Sequence, residues 1–160
     1  RPQAEATVSD AISCAIRRIS SILPVAVLVN YSESGNSTLR ASRERPRAPI
    51  LNLTPNLNTA RRLSVVWGVH SVVNDRLRQV DEVCSTALEI AQAQGMANRG
   101  DTLLITAGVP FGQPGSTNSL RIETLICRFS PGRFAATDSV LNPVAAGLPG
   151  DPPDHPERHS

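Results

Sequence analysis

The sequence predicts an open α/β domain: three layers, α/β/α, on a five-stranded, mostly parallel sheet whose last strand runs antiparallel. Three observations carry this. Short runs rich in valine and isoleucine alternate with stretches of helical period, the pattern of a parallel sheet covered by helices on both faces. The order reads α-β-α-β-α-β-α-β-β, so no helix separates the last two strands and they must pair as antiparallel neighbours. The chain has 160 residues, 40% hydrophobic and 19% charged, which is ordinary globular composition and long enough to bury a core.

Each element follows from local pattern. Over residues 6–22, Val8, Ala11, Ile12, Ala15, Ile16, Ile19 and Ile22 recur at three and four, one stripe of a helix that Pro24 stops. Residues 25–30 are a valine-rich run of strand length. A polar turn leads into a helix over 37–45, with Ser34 or Asn36 as the expected N-cap, and Pro46 ends it. Residues 50–53 form the second strand. A helix over 57–67 follows, capped by Thr54 or Asn56 and closed by Gly68, with Trp67 expected in the core. Residues 69–73 make the third strand, and His70 within it reads as an ordinary core or surface histidine. A long helix over 78–97 uses Val80, Val83, Ala87, Leu88, Ile90 and Ala91 as its apolar face, with Asp81 and Glu82 on the solvated side. Residues 102–107 and 120–126 complete the sheet.

Past residue 126 the character changes. Residues 127–160 hold six of the thirteen prolines and no sustained period, so the domain is drawn as 1–126 and the remainder as a Pro-rich tail expected to be disordered. A chain that opens Arg1-Pro2 reads as a piece of something longer.

Composition excludes several functions. All sixteen basic residues are arginine, so no lysine can serve a Walker loop, a Schiff base or a general base. A net charge of +2 and only five aromatic residues argue against nucleic acid. No apolar run reaches the roughly 20 residues of a membrane span, and no basic segment leads into an apolar leader. Three widely spaced cysteines, Cys14, Cys84 and Cys127, without a CxxC, fit neither zinc nor a disulfide framework and point to a reducing, cytoplasmic setting. His155 and His159 beside Asp154 and Glu157 mimic metal spacing by chance, so no metal site is expected. Three glycosylation patterns begin at Asn30, Asn36 and Asn52 and carry no weight without secretion.

In an open α/β sheet, ligands bind beyond the carboxyl ends of the strands. Two polar loops lie there. The first offers Ser32, Ser34, Gly35, Asn36, Ser37 and Thr38 at a helix start, where free amides and the dipole attract an anion. On residue chemistry alone the reading to prefer is a solvated serine-rich turn that caps the helix. Glu33 opposes an anion held close, and the absence of GxGxxG gives no support to a dinucleotide. The second, residues 108–118, contains Gly112, Pro114, Gly115, Ser116, Thr117 and Asn118 and reads either as a functional loop or as a wide turn between the last two strands. No Ser-His-Asp or Cys-His arrangement is credible, so residue chemistry alone gives a ligand-binding domain with no catalytic set.

Several segments run in a specific order: Tyr31-Ser32-Glu33-Ser34-Gly35-Asn36-Ser37, Arg45-Pro46-Arg47-Ala48-Pro49-Ile50, Thr54-Pro55-Asn56 with Thr59-Ala60-Arg61, Trp67-Gly68-Val69, Arg99-Gly100-Asp101, Ile105-Thr106-Ala107-Gly108-Val109-Pro110, and Pro114-Gly115-Ser116-Thr117-Asn118. Together they resemble the C-terminal domain of pyruvate kinases over about residues 4–125. The resemblance implies a regulatory and subunit-interface domain of an enzyme that converts phosphoenolpyruvate and ADP to pyruvate and ATP in glycolysis. It implies that the magnesium and potassium sites belong to a catalytic barrel domain absent from this chain, that the chain alone transfers no phosphate, and that the full-length enzyme is a homo-oligomer. The phosphate-binding loop of the family falls on Ser32, Ser34, Gly35, Asn36 and Ser37, and its closing effector loop on residues 112–118. Glu33 and Asn36 stand where members binding a sugar bisphosphate tend to have cations, and between residues 73 and 80 only Arg76 and Arg78 are basic. A sugar monophosphate or AMP, or no effector at all, is therefore expected before a bisphosphate. A free-standing phosphometabolite-binding module and a non-functional gene remnant are the alternatives, and residues 127–160 read as a read-through or a divergent extension.

Overall fold

In the computed structural model, residues 7–109, 111, 117–126 and 139–140 are described. Helix α1 (Val8–Ile22) starts where Thr7 Oγ1 accepts from the Asp10 N–H, and stops at Leu23 before Pro24. Strand β1 (Val25–Tyr31) leads to α2 (Asn36–Arg43), β2 (Ile50–Thr54) to α3 (Leu57–Leu63), and β3 (Val69–Val73) to α4 (Val80–Ala93). Strands β4 (Thr102–Ala107) and β5 (Ser119–Thr124) form the closing hairpin.

The sheet order is β5-β4-β1-β2-β3-β6, with β1, β2, β3 and β4 parallel and β5 antiparallel on its edge. The five expected strands are therefore present. A sixth, the two-residue β6 (Ser139–Val140), pairs antiparallel with Val72 and Ser71 on the opposite edge. The rest of the Pro-rich tail, residues 127–138 and 141–160, lies outside the described residues.

Two apolar clusters flank the sheet. One face carries Val27, Val29, Leu51, Leu53, Val72, Leu103 and Ile105 under Val83, Ala87, Ile90 and Ala91 of α4. The other carries Leu28, Ile50, Val69 and Leu104 with Leu63 of α3 and the partly buried Ile16, Ile19 and Leu39 of α1 and α2. The alternation of side chains along each strand sorts residues between these faces. Helix α1 is the least embedded, since none of its fifteen residues is buried.

Three expectations need correction. Helix α3 ends at Leu63, not 67, because the next residues turn; Val66 packs inward while Trp67 is 73% exposed, so the tryptophan is not in the core. The N-cap of α2 is Gly35 in the left-handed conformation (φ 81°), with no side-chain cap. A left-handed residue there moves the hydroxyl bonds upstream: Ser32 Oγ accepts from Gly35 N–H, and Ser34 Oγ accepts from Asn36 N–H. Finally, Asp81 and Glu82 do more than face solvent. Glu82 accepts from the N–H groups of Arg78 and Gln79 at the start of α4, and Asp81 accepts from Arg121 at 2.6 Å. Asn56 caps α3 as expected, accepting from Asn58 and Thr59.

Candidate functional site

The parallel strands run β4-β1-β2-β3, so the chain leaves β1 toward β2 and leaves β4 the opposite way, toward β5. That divergence is a topological switch point, where open α/β sheets form their binding crevice. Both polar loops singled out in the sequence flank it.

The first loop is held by its backbone. Thr59 Oγ1 donates to the Glu33 carbonyl at 2.8 Å, and the Arg62 guanidinium donates to the Ser34 carbonyl. Both groups come from one face of α3, three residues apart, as helical spacing requires. Gly35 is wedged against the same helix: a Cβ there would stand 3.0 Å from Leu63 Cδ1 and 3.0 Å from Thr59 Cγ2. Left-handed backbone and close packing thus both demand glycine.

The structure divides the six residues proposed for this loop. Ser32 and Thr38 are buried and turned to internal bonds, Ser32 to Gly35 N–H and Thr38 to the Asn52 carboxamide at 2.7 Å. Ser34 and Ser37 are half-buried, and Asn36 is exposed at the first turn of α2. Ser37 Oγ lies 2.5 Å from Thr117 Oγ1, joining the two loops.

Of the second loop, Thr117 and Asn118 are described, whereas Gly112, Pro114, Gly115 and Ser116 lie outside the described residues. Its base is closed by the Asn118 carboxamide, which accepts from Val109 N–H at 2.8 Å and donates to Val109 carbonyl at 2.6 Å. Phe111 folds back onto Tyr31 at the end of β1, with ring centroids 4.6 Å apart. Burial, and then the Glu33 carboxylate, push the Tyr31 phenol above its ordinary value, while the Arg78 guanidinium pulls the other way. Cations at this end of the sheet therefore include Arg62 as well as Arg78. Sequence reasoning missed Arg62, because only the packing of α3 against the loop brings it to the Ser34 carbonyl.

Behind the loops lies a row of buried polar side chains. Thr106, Asn30, Asn52 and Ser71 sit at matching register on four adjacent strands. Thr106 Oγ1 donates to the Asn30 carboxamide oxygen, and Asn52 Nδ2 donates to Ser71 Oγ at 3.3 Å. Burial of Asn30 and Asn52 also removes two of the three glycosylation patterns from reach. Among the described residues no cluster of histidine, cysteine, aspartate or glutamate is placed to hold a metal ion, and no helix is long and apolar enough to cross a membrane.

Comparison with known proteins agrees with this architecture. Residues 10–123 match the family model described as pyruvate kinase, alpha/beta domain. The chain is similar to the pyruvate kinase of Methylorubrum extorquens (42% identical over 122 residues, 76% of this chain and 26% of that protein). It is also similar to that of Geobacillus stearothermophilus (34% identical over 123 residues, 77% of this chain and 21% of that protein). Among solved structures it resembles the Cryptosporidium parvum pyruvate kinase in complex with ADP, with a TM-score of 0.69 and 26% identity over 77% of this chain and 25% of that one. The chain thus spans about a quarter of the length of these relatives. With its matched segment covering most of the sequence and the same fold around it, the chain belongs to the pyruvate kinase α/β domain family.

Proposed function

We propose that this chain is the effector-binding, regulatory part of a pyruvate kinase, and that the loop 32–37 receives the phosphate of a small phosphorylated metabolite. The observation that carries this reading is the division within the loop. Its backbone is fixed by Thr59, Arg62 and the wedged Gly35, while the Ser34 and Ser37 hydroxyls stand near the surface at the start of α2. Donors fixed before binding lose little freedom on ligation, which favours affinity. The helix start adds favourable potential for an anion, and Arg62 and Arg78 offset Glu33. A single cradle of this kind suits one phosphoryl group, so a sugar monophosphate or AMP fits better than a bisphosphate. In the full-length enzyme, occupancy would favour one arrangement of the domain against the catalytic barrel and neighbouring subunits, and so change substrate affinity there.

Calorimetric titration of the 160-residue chain with glucose 6-phosphate, ribose 5-phosphate, AMP and fructose 1,6-bisphosphate tests this. One monophosphate should bind, and Ser34→Asp should abolish binding by setting like charge in the cradle. Binding that survives Ser34→Asp unchanged places the ligand elsewhere; a folded chain that binds none of the four is no effector sensor on its own.

A further inference from the structure

The two edges of the main sheet are protected differently. The β5 edge carries its own charges: Arg121 pairs with Asp81 of α4 at 2.6 Å and with Glu123 at 3.6 Å. Charged side chains on an edge strand resist pairing with another chain, because pairing would strip water from them. Strand β3, at the far side of the parallel strands, reads Val69-His70-Ser71-Val72-Val73. It has no lysine, arginine, acidic residue or proline, and valine is a strong strand former. Its own sequence does nothing to stop a further strand from adding to it.

The backbone shows which groups that further strand meets. Asn74 N–H donates to the Thr54 carbonyl of β2 at 2.8 Å, and the Gly68 carbonyl accepts from Ile50 N–H of β2 at 2.8 Å. Backbone groups alternate in direction along a strand, so those of Gly68, His70, Val72 and Asn74 face β2. Those of Val69, Ser71 and Val73 face the outer edge. The Val69 N–H is already taken by the Val66 carbonyl at 3.2 Å. Ser71, at the centre of the strand, is fully buried and stands opposite Val140 of β6. An unpaired backbone group at a buried position is costly, so the tail is paired where the bare edge most needs a partner.

The two residues of β6 change what this edge can do. Without them, β3 is complementary to β3 of a second copy. Antiparallel pairing about Ser71 sets Ser71 against its own counterpart and Val69 against Val73, and joins two sheets through a closed two-fold contact. With Val140 already opposite Ser71, the centre of that contact is occupied and no continuous ladder forms across it.

We propose that β6 is a built-in plug for the β3 edge: residues 139–140 of this chain occupy a strand-accepting surface that otherwise takes a second copy of the chain, β3 to β3. The plug does not rest on the effector reading. It gives part of the Pro-rich extension a task, which is to keep the domain from associating through an edge that its own strand leaves undefended.

The test is the double change Ser139→Pro, Val140→Pro in the 160-residue chain, which removes both N–H donors of β6. The prolines fall outside the strands and helices that carry the two apolar clusters, so the domain stays folded. Hydrogen exchange followed residue by residue should show the Ser71 amide quickening by about fivefold or more, the net worth of one hydrogen bond. Sedimentation velocity over a series of chain concentrations should show the double variant associating where the parent does not. Adding Val73→Lys, at the half-buried end of β3, places on the edge a charge that pairing would desolvate, and should return the variant to the parent's sedimentation. A Ser71 amide that exchanges equally in parent and variant overturns the plug, because β6 is then not its partner. So does a double variant that sediments like the parent at every concentration. Association that Val73→Lys leaves unchanged also overturns it, since the contact then runs through another face.

Discussion

Ser37 and Thr117, eighty residues apart in sequence, meet through a 2.5 Å hydrogen bond between their hydroxyls at the point where β1 and β4 diverge. The bond ties the first turn of α2 to the segment that enters β5, two residues before that strand begins. Thr117 is almost fully buried and Ser37 half-buried, so the bond is partly screened from water. Thr117→Val keeps the shape and removes the hydroxyl. It should cost about 1 kcal/mol, the usual net worth of one such bond. A urea titration reads the cost, and amide exchange at Val109 and Asn118 should quicken because the loop base has lost its neighbour. A variant as stable and as protected as the parent would show that the hydroxyl contact carries no weight.

Gly35→Ala probes the effector loop from the other side. The φ of 81° costs a non-glycine residue roughly 1–2 kcal/mol, and the added Cβ meets Leu63 and Thr59 at 3.0 Å. Destabilisation of at least that size is expected in the same urea experiment, with loss of any effector binding because the Ser34 carbonyl and Asn36 amide must shift. A change below about 0.5 kcal/mol would mean the loop relaxes freely.

How far the sequence reached follows from what each feature depends on. The strands were legible because burial on both faces writes valine and isoleucine runs directly into the chain. The loop 32–37 was legible because a helix start draws serine and glycine to it. Arg62 was not, because its role depends on α3 lying beside the loop, a relation between two elements. Asn30 and Asn52 were also hidden: each reads as one polar residue closing an apolar run, and only the register of four strands aligns them with Thr106 and Ser71. Trp67 misled for a third reason. A large apolar residue at helical spacing reads as core, yet the helix stops at Leu63 and the turn faces it outward.

Trp67 is the single tryptophan, and its exposure has an optical consequence. Its fluorescence in the folded chain should resemble that of a water-exposed indole, be quenched freely by iodide, and shift little on unfolding. A blue-shifted, iodide-resistant emission would mean that something covers this residue in solution, such as a second copy of the chain.

The buried row predicts an asymmetry. Asn52→Ala removes both the acceptor for Thr38 and the donor to Ser71, leaving two buried hydroxyls unpaired and a cavity beneath α2. It should cost about 2–4 kcal/mol, counting unsatisfied groups at 1–3 kcal/mol each with partial relaxation. The triple change Asn52→Leu, Thr38→Val, Ser71→Ala removes all three partners together and should cost less than Asn52→Ala alone. Denaturant midpoints for the two chains decide it; a triple variant less stable than the single one would mean the row is more than a satisfied network.

His70 gives the fold a pH dependence of defined sign. It lies on β3 with Nε2 buried and unpartnered among the described residues, and burial lowers its pKa from the ordinary 6.5. The folded chain therefore resists protonating this imidazole, while the unfolded chain takes the proton near 6.5. Above that pH both states are neutral at this position and stability is unaffected. As the pH falls below it, the unfolded state binds the proton first and stability declines until the folded-state pKa is passed. His70→Gln cannot take the proton, so the difference in urea midpoint between parent and variant should change steadily in the variant's favour from pH 7 down to pH 5. Parallel pH profiles for the two chains would show that His70 is solvated as freely in the folded protein as in the unfolded one.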